Sequence, residues 1–314
     1  MYDKVKFWLE RSAIGGGYSK VADFLTMGVE QVDRRTGEIK VFGSLDGLKV
    51  SVFCSGISII GSLSKYMYGN NIYPLDRHTT KEALDRIGKA FHVDMNKAKV
   101  TGLEFGTVFL LTHKIPYYLQ RLGDMPKLDR CRFEEKTLYY QSKSKEQPKT
   151  LAFYDKIEEQ RKSGATLPPG FDGQNILKYE LRLNQRLPKQ LNVKEVNAST
   201  LYDEEFFRML VRLWQNYYFQ ISKQQQTKNN SIYGIRTVKD AFNMFIAQIM
   251  ANSDKDTVNK FIDDLKYNRV FADRKNYSRL KNKLQNTFPK VEITETDEAV
   301  KELDDAVKNA SAYL

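Results

Sequence analysis

The hydrophobic period of this chain changes near Leu187, and that change constrains its fold more than any other feature. Before it, residues 5–9, 38–42, 48–53 and 57–63 are short β-rich runs separated by turn signals such as Arg35-Thr36-Gly37, Asp46-Gly47 and Ser55-Gly56. They predict an antiparallel meander. Residues 79–91 carry Leu84, Ile87, Ala90 and Phe91 on one helical face, which predicts a helix laid on the sheet. Residues 100–111, 132–140, 150–154 and 176–183 supply four more predicted strands. Beyond Leu187 a 3.6-residue period takes over in residues 204–222, 238–252, 256–264 and 273–286, followed by an acidic piece over 292–312. The expected fold class is α+β, with an antiparallel-sheet domain over residues 1–190 and an all-helical region over 191–314. The Gln- and Asn-rich residues 223–230 read as an exposed loop between helices, with a flexible hinge or a DNA-facing turn as the alternatives.

Fifty Lys and Arg against 39 Asp and Glu give these 314 residues a net charge of +11, which favours a polyanionic partner. Nucleic acid leads. The cations are interleaved with Tyr and Phe, an arrangement that suits single strands because bases stack on rings while cations track phosphates. An ordinary basic surface over an aromatic core gives the same composition. The two cysteines, Cys54 and Cys131, form no disulfide framework. No secretory-type segment and no apolar run of membrane-spanning length is recognised, so a cytoplasmic protein without a membrane partner is expected. His78, His92 and His113 stand apart, without an HxH or HExxH pattern. Zinc is therefore not expected, and any metal must be held by carboxylates.

Residues 150–160, Thr-Leu-Ala-Phe-Tyr-Asp-Lys-Ile-Glu-Glu-Gln, concentrate a tyrosine, a lysine and three acids at a predicted strand-to-helix junction. Asp155 is a good N-cap, and Glu158 and Glu159 fall in the first turn after it. Tyr154 then ends a strand with Lys156 and Glu158 close by, where a phosphodiester meets nucleophile, cation and carboxylate together. The competing reading is a buried tyrosine at a helix entrance with a solvated first turn.

Three blocks carry a family resemblance. The first is residues 56–75, with Lys65, Gly69, Asn70 and Asn71. The second is residues 100–109, with Glu104 in mid-strand. The third joins residues 150–160 to Leu177-Lys178-Tyr179-Glu180-Leu181-Arg182-Leu183. In order and spacing, residues 1–190 resemble the filamentous-phage gene II/X replication initiators, which nick DNA for rolling-circle synthesis. The third block is similar to that family's catalytic tyrosine segment followed by its (R/K)xExR strand. The resemblance implies an HUH-related sheet lacking the histidine pair, a 5′-phosphotyrosine formed on Tyr154, and single-stranded and duplex origin DNA as partners. A host helicase or replisome is a further implied partner.

On that reading Lys156 lowers the pKa of the Tyr154 phenol, which is a poor nucleophile near pKa 10; a surface lysine without that role is the alternative. Glu104, Glu180 and Glu158 form an oxygen-rich site for Mg²⁺ or Mn²⁺. Solvent-facing glutamates paired with Arg182 or a lysine are the alternative. Lys65, Asn70 and Asn71 suit phosphate contact, although Gly69-Asn70-Asn71 equally suits an ordinary turn. Arg182, Arg186 and Lys189 extend a basic track for DNA. Relaxases and single-strand transposases use the same tyrosine chemistry, and a non-catalytic origin-binding regulator is the rival from another class.

Overall fold

The computed structural model describes residues 1–133, 135–165, 167–223, 237–239, 242, 245–246, 255–287 and 297–310. Ten strands occur among them: β1 (Tyr2–Glu10), β2 (Thr26–Val32), β3 (Ile39–Leu45), β4 (Leu48–Phe53), β5 (Gly56–Ser62), β6 (Lys99–Leu111), β7 (Asp129–Phe133), β8 (Thr137–Gln141), β9 (Lys149–Asp155) and β10 (Asn175–Asn184). The helices are α1 (Arg11–Ile14), α2 (Leu63–Tyr68), α3 (Arg77–Phe91), α4 (Ile115–Leu119), α5 (Lys156–Lys162), α6 (Leu187–Leu191), α7 (Glu204–Phe219), α8 (Lys255–Tyr267), α9 (Lys275–Thr287) and α10 (Glu298–Asn309).

The strands make one sheet in the order β2-β3-β4-β5-β1-β6-β10-β9-β8-β7, with every neighbouring pair antiparallel. β6 and β10 sit inside it and are covered on both faces, whereas β2 lies at an edge with every residue exposed. That exposure explains why β2 escapes a sequence reading: with neither face buried, no alternation is imposed on it. The single strand expected over residues 132–140 is instead two strands, β7 and β8, broken by a turn at Glu135 and Lys136.

Alternation along β10 sends Leu177, Tyr179, Leu181 and Leu183 to one face and Lys178, Glu180 and Arg182 to the other. On the first face Phe153 stacks on Tyr179 with centroids 4.3 Å apart, and Tyr179 stacks on Trp214 at 4.7 Å. The Tyr179 hydroxyl donates to the Trp214 carbonyl at 2.8 Å. α7 delivers Trp214: Asp203 caps it by accepting from the Phe206 amide at 2.8 Å, and Phe206, Phe207, Leu210, Val211 and Tyr218 are buried with it. Burying such a side chain stabilises the fold by roughly 1.5–3 kcal/mol.

For this reason the chain does not divide by a single cut near residue 190. One compact unit is Met1–Ser222 with Glu302–Leu314, because α7 closes the apolar face of the sheet and the end of α10 returns to it. There Glu302 accepts from the Thr112 amide at 2.9 Å, and Asp304 accepts from the Tyr218 hydroxyl at 2.7 Å. The second unit, Lys223–Lys301, contains α8 and α9. The loop expected over 223–230 lies, beyond Lys223, outside the described residues, as does most of the helix expected over 238–252. No helix among the described residues is long and apolar enough to cross a membrane.

Candidate active site

Asp155 is the N-cap of α5 and accepts from the Glu158 amide at 3.0 Å, so β9 turns directly into helix where the sequence predicts. Tyr154 is the residue before that cap, on the polar face of the sheet opposite Lys178 of β10. It is half-buried and lines a cleft of about 430 Å³ between α5 and β8 together with Lys136, Tyr139, Glu158, Glu159 and Arg182.

The Tyr154 hydroxyl lies 3.4 Å from Oε2 of Glu180. Oε1 of the same carboxylate accepts from Arg182 Nε at 2.7 Å and Nη2 at 2.5 Å, while Arg182 Nε also lies 3.8 Å from Glu104 Oε1. The register explains the grouping: Arg182 is paired with Glu104 across β6, and Glu180 is paired with Gly106. A Cβ at Gly106 would stand 2.1 Å from the Tyr179 carbonyl oxygen and 2.6 Å from Glu180 Cα. Glycine is required for β10 to come this close. Burial first, and then the charge of Glu180, pushes the Glu104 carboxyl up to about 7.

Beneath the cleft lies a buried charged network that sequence reasoning did not foresee. The Lys178 side chain is 0% exposed and lies 3.2 Å from Asp3 Oδ2 and 3.9 Å from Glu180 Oε2. Asp3 also accepts from Ser62 Oγ at 2.6 Å. A bulge between Tyr2 and Val5 sets Asp3 and Lys4 against Glu104, which turns Asp3 toward this face. Burial alone would raise Asp3 and lower Lys178, but Lys178, Ser62 and Lys156 together outweigh it for the acid, and Asp3, Glu180 and Glu104 together outweigh it for the amine, so the acid is depressed and the amine raised. Lys178 had a signal in the sequence, since it shares the alternation of Glu180 and Arg182. Asp3 had none beyond an acid near the start of an apolar strand.

Lys156 belongs to this network rather than to the phenol. Its fully buried ammonium donates to Glu159 Oε2 at 2.6 Å and Asn71 Oδ1 at 2.9 Å, and it lies 6.0 Å from the centre of the Tyr154 ring. Burial lowers its pKa, against the pull of Glu159. The expected lowering of the Tyr154 pKa by Lys156 is not what the geometry produces. Burial, then Glu180 and Asp3, raises the phenol well above 10, with Arg182 as the opposing cation. Asn71 is likewise structural here: it receives Lys156 and, at 3.1 Å, Gln160.

Glu158 does not join Glu104 and Glu180. Its carboxylate binds Lys136 at 2.8 Å on the α5 side of the cleft. No group of three or more His, Cys, Asp or Glu side chains among the described residues is disposed to hold a metal ion. Mg²⁺ and Mn²⁺ are commonly held by one or two carboxylates with water and phosphate completing the shell, and Glu104 and Glu180 are the two carboxylates that share Arg182 here.

The remaining expected DNA-contact residues have other partners or face solvent. Lys65 is exposed on α2, and Asn70 closes a turn by accepting from the Ile72 amide at 3.1 Å. Arg186, at the start of α6, pairs with Glu146 at 2.6 Å, and Lys189 is exposed on the same helix.

Residues 1–202 match the model of a protein family described as the N-terminal part of the gene II replication-associated protein. A comparison with curated proteins finds no match.

Proposed function

Because this chain belongs to the gene II replication-associated family of phage rolling-circle initiators, we propose that it nicks and rejoins origin DNA through a phosphotyrosine formed on Tyr154. The observation that carries the proposal is that Tyr154 and Arg182, which line one cleft, meet at the buried Glu180 carboxylate, with Glu104 on the far side of Arg182. The accompanying fold reading is an HUH-related nuclease sheet in which carboxylates stand where that class has paired histidines.

In the proposed step the Tyr154 oxygen bonds to the scissile phosphorus, the bond to the 3′ oxygen breaks, and the 5′ phosphate stays on the enzyme. Glu180 Oε2 faces the phenol and takes its proton, which a phenol with so high a pKa requires. The 3′ oxygen leaves as a hydroxyl by taking a proton from water, and the hydroxide so formed takes back the proton held by Glu180, which returns the carboxylate. Arg182 offsets charge on the non-bridging oxygens. Lys178, paired with Asp3, holds Glu180 from below, and Lys156, through Asn71, ties the first turn of α5 to the loop after α2. Glu104 and Glu180 would hold a divalent ion, which when bound supplies Lewis-acid polarisation of the phosphate. Rejoining is the reverse reaction with a new 3′ hydroxyl.

Incubation with a single-stranded DNA library and Mn²⁺, followed by peptide mapping of any covalent adduct, tests the proposal. An adduct on Tyr154 is expected. An adduct on Tyr139 or Tyr140 overturns the assignment, and DNA binding without any adduct would leave a non-catalytic origin binder.

A further inference from the structure

We infer that α9 is a duplex-DNA-reading helix that enters the major groove, a site lying beyond the segment that matches the family. Residues 268–287 hold six cations, Arg269, Arg274, Lys275, Arg279, Lys281 and Lys283, against one acid, Asp273. That acid is already engaged: its carboxylate accepts from the Lys275 amide at 2.9 Å and starts the helix. Within α9 the sequence has no acid at all, and its other polar residues are Asn, Gln, Ser, Thr and Tyr.

The helix is two-sided. Tyr277 is buried and Leu280 and Leu284 are half-buried on one side. Lys275, Ser278, Arg279, Asn282 and Lys283 are exposed on the other. Lys275, Arg279 and Lys283 follow one another at intervals of four, so they form a single stripe with Ser278 and Asn282 between them. Charged ends with amide and hydroxyl groups between them are the chemistry that meets phosphates and base edges together.

A reading helix must also be held at a fixed angle, and this one is. The Tyr277 hydroxyl accepts from the Phe271 amide at 3.0 Å and lies 3.2 Å from the Phe271 carbonyl and 3.3 Å from that of Leu265 at the end of α8. Phe271 packs edge-on against the Tyr277 ring with centroids 5.1 Å apart. The left-handed Arg269 and the Val270 amide, which donates to the Leu265 carbonyl at 3.1 Å, end α8 sharply. One side chain of α9 thus fastens the inter-helix turn and the preceding helix.

Thirteen residues of helix span about 20 Å, and the major groove of B-form DNA admits such a helix. The deep, narrow major groove of duplex RNA does not. Charge complementarity and groove shape together select duplex DNA.

The inference rests on the replication-initiator reading for its biological setting but not for its test. Binding of a random-sequence duplex DNA is measured against salt for the full chain and for Lys275→Ala/Arg279→Ala/Lys283→Ala. The variant is expected to bind at least tenfold more weakly near 0.1 M salt, with a log-affinity slope shallower by about 2 to 3, since each phosphate contact contributes about 0.9. The charge-keeping Lys275→Arg/Arg279→Lys/Lys283→Arg should retain the slope, and Lys260→Ala/Lys266→Ala on α8 should change it much less. Unchanged duplex binding by the first variant, or equal loss from the α8 variant, overturns the inference. Circular dichroism and melting show whether the alanine variant is folded; if it is not, the milder Arg279→Gln/Lys283→Gln, which keeps long helix-forming side chains, decides, and its unchanged duplex binding and salt slope would overturn the inference. Adduct formation on single-stranded DNA is read in parallel. If the wild-type chain forms none while duplex binding still depends on α9, the nicking proposal falls and this inference stands.

Discussion

The hydroxyl of Tyr154 on β9 lies 3.4 Å from Glu180 Oε2 on β10, and the same carboxylate is clamped from its other oxygen by Arg182. The proposed nucleophile and its proposed proton acceptor are thus set by strand register, with the acceptor oriented by a neighbour two residues along its own strand. At 3.4 Å the contact is weak, so removing it should cost stability less than about 1 kcal/mol. Tyr154→Phe is expected to melt like the wild type and still bind DNA, but to leave no protein-linked DNA on a denaturing gel. Persistence of the adduct would rule out Tyr154.

Glu104 carries a pH dependence whose sign is defined. Its folded pKa of about 7 lies above the usual carboxylate value, so its contribution to stability is present below about pH 4.5 and lost as pH rises through 7. In chelator-treated protein at pH 8, Glu104→Gln should therefore be more stable than the wild type, by about 1–2 kcal/mol. Urea melts at pH 5 and pH 8 check this, and a gap that does not widen with pH contradicts it. The same variant should lose most of its Mn²⁺-dependent nicking, and excess EDTA should stop nicking by the wild type.

Asp3 and Lys178 are a fully buried pair, so breaking it from one side strands a charge. Asp3→Asn or Lys178→Met should each cost about 3–5 kcal/mol. The double variant should cost less than the two added together, because it leaves no unmatched charge at that contact. Against burial, Lys178 with Ser62 and Lys156 depresses Asp3, so the stability it confers is present above the ordinary carboxylate range and is lost as pH falls through its lowered pKa. Additive urea-denaturation losses would show that the two side chains do not act as a pair.

Gly106→Ala forces a methyl against the Tyr179 carbonyl and the backbone of Glu180. The expected cost is about 1–3 kcal/mol from displaced backbone. Because the displaced strand carries Glu180 and Arg182, nicking should fall further than the change in folded fraction explains. Equal losses in the two measurements would show that the β6–β10 approach does not tune the site.

Local rules were enough for part of this molecule. Asp155 as an N-cap, the exchange of strand for helix behind Tyr154, and the alternation that puts Glu180 and Arg182 on one face are read from neighbours along the chain, as is the antiparallel meander around residues 48–63. Those signals work because caps and periods depend on residues a few positions apart. Which side chains meet was decided elsewhere. Asp3 reaches Lys178 across 175 residues, Asn71 takes up Lys156 across 85, and Lys136 captures Glu158, removing it from the expected group of three glutamates. These partnerships follow from the order of strands, a bulge in β1 and the depth of burial under α5. A buried charge pairs with whatever opposite charge the tertiary fold brings near it, so sequence could nominate candidate residues but the packed sheet assigned their partners.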